Sequence, residues 1–290
     1  MFVYVFKVHC FDTINDNDLV HVLTSQENVI VLFIKTNCPE CMQYEKIISN
    51  MKTELKEVLG ATVVKAHDSN LVSIYDPARE PALLFFRRGI PLLYYGDIKQ
   101  DEMMQFFSSN KEPVVKELSD DTFEHLTQSS TGATTGDWFV FFYSDKCISC
   151  QRLYAIWESV AAHLKRRLNV ARINRMEAGI STAKRFKVVE SSSPVFILFR
   201  QGNYYQYVKR EYSATSLIEF AETGYVKIKP KPVPAMPDTL EQMFLIIFQH
   251  INTRLCPAIG IVLIFVILIL YFIKRFFIKN IQKDVRKKSK

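Results

Sequence analysis

The chain has 290 residues, enough for two ordinary domains with separate cores, and its 48% apolar and 13% aromatic content excludes an extensively disordered polypeptide. The formal charge of +7 is confined to one end. Residues 274–290 hold eight basic side chains against a single acid, Asp284, so residues 1–273 are neutral and nucleic-acid binding is not expected.

Residues 1–9 (MFVYVFKVH) contain a short apolar run without a basic leader or a small-residue cleavage site, so they do not read as a signal peptide. Residues 29–37 (VIVLFIKTN) predict a buried strand leading into Cys38-Pro-Glu-Cys41. The following stretch places Tyr44, Ile47, Ile48, Met51 and Leu55 at helical spacing, with Gly60 as its stop. Residues 61–68 then read as a strand. Forty residues after Cys41, Pro81 opens a hairpin (ALLFFRRG, IPLLYYGD), and residues 101–110 close the unit as a helix.

The second half repeats this order. Residues 115–128 predict a strand and a helix, and residues 129–137 a small-residue loop. Residues 137–146 form an apolar strand leading into Cys147-Ile-Ser-Cys150, and residues 151–168 one long helix. After the strand 169–174, Pro194 stands 44 residues beyond Cys150 and opens a second hairpin, and residues 213–224 form the last helix. Each proline precedes a glycine by eight positions, Gly89 and Gly202. Met104, Trp138 and Trp157 fall at core spacing.

Past residue 225, prolines at 230, 232, 234 and 237 predict an extended polyproline spacer. Residues 240–251 are strongly apolar and suit either a membrane interface or an extension of the run behind them. That run, residues 255–273, has 19 positions without a charge, long enough for a bilayer core of about 30 Å. Basic residues after it predict a cytosolic tail.

The chemistry lies in the two cysteine pairs. A thiolate is the reacting species in disulfide exchange, and a helix start offers unpaired N–H groups to stabilise it. A zinc ribbon would space its pairs by about 15–20 residues. Here they stand 109 apart, no cysteine–histidine cluster flanks them and the six histidines show no metal spacing, so neither metal nor nucleotide cofactor is expected. Cys10 and Cys256 read as small apolar residues.

Over residues 2–225 the order of elements, CPEC, CISC and the downstream prolines resemble the thioredoxin fold, twice over. With the apolar run and basic end, the chain resembles the thioredoxin-related transmembrane proteins of the protein disulfide isomerase superfamily. The resemblance implies an α/β fold of two tandem thioredoxin-like domains, residues 1–111 and 112–226, followed by a stalk (227–239), an interfacial segment (240–254), a single transmembrane helix (255–273) and a basic tail (274–290). Cys38 and Cys147 would attack and Cys41 and Cys150 resolve, with Pro81 and Pro194 facing an extended polypeptide substrate. Lys287 and Lys288 match a K-K-x-x retrieval signal read by coat machinery. The implied activity is thiol–disulfide exchange on proteins in the endoplasmic reticulum lumen. A tail-anchored arrangement with cytosolic domains is the alternative topology, and a tethered binding module with slow or vestigial cysteines the alternative function.

The chain also departs from that pattern. Efficient members carry a tryptophan before the first cysteine, where Asn37 and Lys146 stand, and a buried acid six residues before it, where Leu32 and Phe141 stand. Without that acid, deprotonation of Cys41 and Cys150 is expected to be slow. Glu40 disfavours a thiolate at Cys38 and Lys146 favours one at Cys147. Each effect is worth at most roughly 1 kcal/mol, or about 20 mV for a two-electron couple. Slow, fairly reducing sites are therefore expected, with Cys147 the better placed for turnover.

Overall fold

The computed structural model describes residues 12–75, 81–131, 135–189 and 193–236, together with Ile267, Leu268 and Tyr271. Met1–Pro234 makes one compact unit and Ala235–Lys290 another. The expected interfacial segment, the tail with Lys287 and Lys288, Cys10 and Cys256 lie outside the described residues. So does the expected span 255–273, apart from those three positions. Among the described residues no helix is long and apolar enough to cross a membrane.

The first half of the larger unit runs β1 (Thr13–Ile14), α1 (Asp16–Ser25), β2 (Asn28–Ile34), α2 (Pro39–Leu59), β3 (Thr62–His67), α3 (Val72–Tyr75), β4 (Ala82–Arg87), β5 (Ile90–Tyr94) and α4 (Gln100–Ser109). The second runs β6 (Lys116–Leu118), α5 (Asp120–Thr127), β7 (Trp138–Tyr143), α6 (Ile148–Gln151), α7 (Tyr154–Leu164), β8 (Asn169–Asn174), α8 (Ile180–Arg185), β9 (Val195–Arg200), β10 (Asn203–Gln206), α9 (Ala214–Glu222) and β11 (Lys231–Pro232). The sheets are ordered β1-β3-β2-β4-β5 and β6-β8-β7-β9-β10, one permutation used twice, with β11 added at the outer edge of the second. In each, three strands are parallel and the last two antiparallel. The internal repeat in the sequence is thus a repeat of topology.

Both faces of each sheet are covered, which is why the central strands read as continuous apolar runs rather than alternating ones. Ile30, Leu32 and Ile34 of β2 share a core with α2 and α4, whereas Val29, Val31 and Phe33 face a core common to both repeats. That common core also holds Phe139 and Phe141 of β7, Phe196 of β9 and Trp157 of α7. Trp138, Val140 and Phe142 point the other way, toward Phe123 of α5 and Phe186 after α8.

Helix α7 explains how the halves join. Nine of its residues are buried, around its whole circumference, as expected of a helix enclosed on all sides. It packs on β5 of the first sheet and on β8 and α9 of its own repeat. The Ser159 hydroxyl donates to Leu93 O at 2.5 Å, and Trp157 Nε1 to Ala171 O at 3.1 Å. Arg87 on β4, 1% exposed, reaches across to Glu158, with Nη2 to Oε2 at 2.9 Å. Its other donor atom, Nη1, bonds Asn110 O and Glu112 O, and Glu158 accepts from the Val114 and Val115 N–H groups. One buried ion pair thereby holds both halves and the chain between them.

Two expectations are corrected. The helix expected over residues 151–168 is broken. The Leu153 N–H bonds Cys150 O, three residues back, and α7 starts anew at Tyr154. The proline-rich segment expected as a spacer begins on the sheet: Tyr204 pairs with Lys231 and Asn203 with Pro232, while the Arg185 guanidinium donates to Pro234 O. Residues up to Pro234 therefore belong to the folded unit. Proline is accommodated there because an edge strand needs only one side of its ladder.

Candidate active sites

Each cysteine pair follows the second strand of its repeat, with Cys38 four residues past Ile34 and Cys147 four past Tyr143. Register places the prolines at the same end. Ala82 lies opposite Phe33 and Val195 opposite Phe142, so Pro81 and Pro194 face the last residues of β2 and β7, where the cysteine loops begin. Both prolines are buried. The structure therefore brings Cys38, Cys41 and Pro81 to one strand end, and Cys147, Cys150 and Pro194 to the other.

Both pairs are disulfides, with Cα–Cα separations of 5.3 and 5.1 Å. The leading sulfur caps the helix that follows: Cys41 N–H donates to Cys38 Sγ and Cys150 N–H to Cys147 Sγ, each at 3.1 Å. Cys41 and Cys150 are buried and Cys38 is partly exposed, the asymmetry expected of an attacking and a resolving thiol, whereas Cys147 is itself buried at 6% exposure, so the second pair lacks that contrast. The two helices differ. Cys38 heads 21 residues of α2, with Pro39 in its first turn, but Cys147 heads a single turn, α6. The dipole argument from sequence is therefore weaker at the second pair. There the Ser149 hydroxyl, 3.3 Å from Cys147 Sγ, supplies a local hydrogen bond instead.

Leu32 and Phe141 are fully buried, in the same apolar clusters as Cys41 and Cys150 respectively. Such surroundings raise a thiol's pKa and offer no base. Lys65 on β3 stands opposite Leu32, and its Nζ donates to Glu45 of α2 at 2.5 Å, an ion pair not anticipated from the sequence.

The repeats also differ at one equivalent position. Asp68 and Arg175 each follow the third strand, and their N–H groups bond Ile34 O and Tyr143 O, each at 2.9 Å. Asp68 accepts from the Thr36 N–H and hydroxyl, two residues before Cys38. Those hydrogen bonds, the hydroxyl's above all, hold its carboxyl below the usual range. Arg175 is 2% exposed, donates through Nη1 to Ser193 O, the carbonyl before Pro194, and has no carboxylate partner among the described residues. Its Nε is unbonded, and burial lowers its pKa. An acid thus stands beside the first site where a buried cation stands beside the second. Superposing the repeats at their third strands would have exposed this pair.

A model of a thioredoxin-like domain matches residues 67–223, more than half of the chain, and the chain belongs to that family. A thioredoxin domain-containing protein of Theileria parva is 40% identical over 117 residues, covering 40% of this chain and 52% of that protein. Protein disulfide-isomerase A4 of Mus musculus is 25% identical over 207 residues, 67% of this chain and 31% of the relative. The chain thus spans about half the length of one relative and under a third of the other. Full-length ERdj5 superposes with a TM-score of 0.42 at 19% identity, covering 72% of this chain and 30% of that one. Within the thioredoxin-like family, this chain is a member related to the protein disulfide isomerases.

Proposed function

We propose that the protein is a thiol–disulfide oxidoreductase acting on polypeptide substrates, of the disulfide isomerase or reductase type, with one reactive pair in each repeat. The observation that supports this most directly is the placement of both disulfides at the proline-flanked ends of topologically identical sheets. Reduced Cys38 or Cys147 attacks a substrate disulfide sulfur, one substrate sulfur leaves as thiolate, and a mixed disulfide forms. Cys41 or Cys150 then attacks the enzyme sulfur of that bond, closing the pair and releasing the second substrate thiolate. Two electrons pass from the pair to the substrate, and no cofactor enters. The tandem-domain reading (1–111, 112–226) is supported by the repeated strand order. Membrane anchorage through 255–273 and retrieval through Lys287 and Lys288 are supported by the sequence pattern alone, and luminal placement in the endoplasmic reticulum by the disulfide isomerase relatives.

The test is redox titration of the full chain in glutathione buffers, with alkylation to count free thiols. Two separate dithiol equilibria are expected, one lost in Cys38→Ser and the other in Cys147→Ser. Pairs that stay oxidised under strong reductant would sink this reading. They would instead favour the tethered binding module, for which the apolar Leu32 and Phe141 beneath the cysteines are the supporting observation.

A further inference from the structure

A cavity of about 500 Å³ is lined by residues of both repeats. The first repeat contributes Tyr44, three residues past Cys41, together with Pro81 and Tyr95. The second contributes Ser149, from between its two cysteines, and Ile156 and Thr215. Its walls are largely aliphatic and aromatic, and burial pushes Tyr95 up to about 12, so the phenol stays neutral. Met42 and Ile148, which are 69% and 68% exposed, each directly follow a cysteine of a different pair. A concave site walled mainly by apolar side chains is the usual form of a binding pocket.

We infer that this cavity is a single substrate subsite shared by both cysteine pairs, and that it takes a large apolar or aromatic side chain of a client polypeptide next to the client's reacting cysteine. The inference rests on the redox reading above and specifies its substrate. The occupant follows from continuity with the reacting atoms. A chain held in a mixed disulfide with Cys147 places its neighbouring residues within about 3.3–3.6 Å per position, and Ser149, against Cys147 Sγ, is part of the cavity wall. Pro81 gives the same cavity a wall at the strand end beside Cys38. The volume admits one large side chain and some backbone. Arg152 and Glu211 are both at its edge, one of each sign, so the lining has no bias toward a charged side chain. The alignment of the subsite with both pairs depends on α7, whose Ile156 lines it together with Leu153 just before the helix, while Ser159 anchors to β5.

The experiment uses the full chain in two backgrounds, Cys38→Ser with Cys41→Ser and Cys150→Ser, and Cys41→Ser with Cys147→Ser and Cys150→Ser, each of which leaves one attacking cysteine, Cys147 or Cys38, whose mixed disulfide cannot be resolved. Two neutral peptides are offered, each with one cysteine activated as a disulfide to a chromogenic small thiol, differing only in Trp or Gly beside that cysteine. Attack joins the peptide to the enzyme sulfur and releases the chromophore, which reports the rate. The Trp peptide is expected to react roughly tenfold faster in both backgrounds, the low end of what burying one large side chain yields. Filling the cavity by Thr215→Trp, at an exposed position of α9, should bring that ratio below about twofold in both, and Thr215→Leu should give an intermediate value. A ratio near one without the Thr215 changes overturns the subsite, as does a ratio that Thr215→Trp leaves intact. A preference at only one cysteine overturns the sharing. If neither peptide is captured in either background, the redox reading fails first, and its failure is recognised by the absence of any chromophore release.

Discussion

Replacing Glu158 with alanine tests whether the two repeats are held by a buried charge pair. The change leaves Arg87, 1% exposed, without the carboxylate bonded to Nη2, while its Nε has no partner to begin with. Removing one member of a buried pair costs about 3–5 kcal/mol. The carbonyls of Asn110 and Glu112 still receive Nη1 and soften the loss. Against that, the Val114 and Val115 N–H groups lose their acceptor, at about 1 kcal/mol each. A net loss of about 4 kcal/mol follows. For a unit of this size that is a fall in melting temperature of roughly 8–16 °C. The paired change Arg87→Met with Glu158→Leu should lose only about 1–2 kcal/mol, because apolar side chains of similar volume strand no charge and only neutral backbone groups, the Val114 and Val115 N–H groups and the Asn110 and Glu112 carbonyls, lose a partner. Urea unfolding followed by far-ultraviolet circular dichroism measures both. A single variant that loses less than 1 kcal/mol, or a double variant as unstable as the single one, would refute the reasoning.

Three further outcomes are expected. Arg175→Met should raise the apparent pKa of the Cys147 thiol by about one unit, read from the pH dependence of its alkylation in the Cys150→Ser background, and leave Cys38 unchanged. Glu40→Gln should make the first pair less reducing by no more than about 20 mV, measured by glutathione titration, since Glu40 is exposed. Glu124 is held below the ordinary carboxylate range: burial opposes this, but hydrogen bonds from the Ser130 hydroxyl, Arg185 and the Ser130 N–H outweigh it. Because its folded pKa lies below the unfolded value of about 4.3, its stabilisation is present above that pH and is lost as pH falls through the folded value. Glu124→Gln should therefore cost about 1 kcal/mol at pH 7 and flatten the loss of stability below pH 4.3.

What was legible in the sequence divides by range. Strands such as β2, β4 and β7 are buried on both faces, so they print as uninterrupted apolar runs, and the cysteine loops and prolines between them could be placed to within a residue or two. The break after α6 was not legible, because Leu153, Ile156, Trp157 and Val160 are all core residues and the apolar period runs straight through the turn. Strand β11 was hidden for a different reason: alternating prolines describe an extended backbone equally well whether it stands free or pairs by one edge. The Arg87–Glu158 pair joins residues 71 positions apart and the walls of the cavity join residues of the two repeats, and no local pattern encodes such a meeting.

The difference between the two candidate sites lies between these cases. Each cysteine pair, taken alone, shows only its immediate neighbours, Glu40 at one and Lys146 at the other. The repeat supplies a second comparison: two copies of one topology put Asp68 and Arg175 at the same backbone position, with opposite charge and opposite exposure. Both differences act in the same direction. The first pair has acids on its helix and beside its loop, which disfavour the thiolate and so favour the disulfide. The second has a lysine before it and an arginine beneath its proline loop, buried where screening by salt is weak. A thiolate gains from those charges only when the pair is reduced, so they move reduction potential and thiol acidity without altering the fold that presents them. The repeat therefore keeps the frame of the candidate site and changes the charge at one equivalent position beside it, from Asp68 to Arg175, so the two pairs are expected to differ in potential.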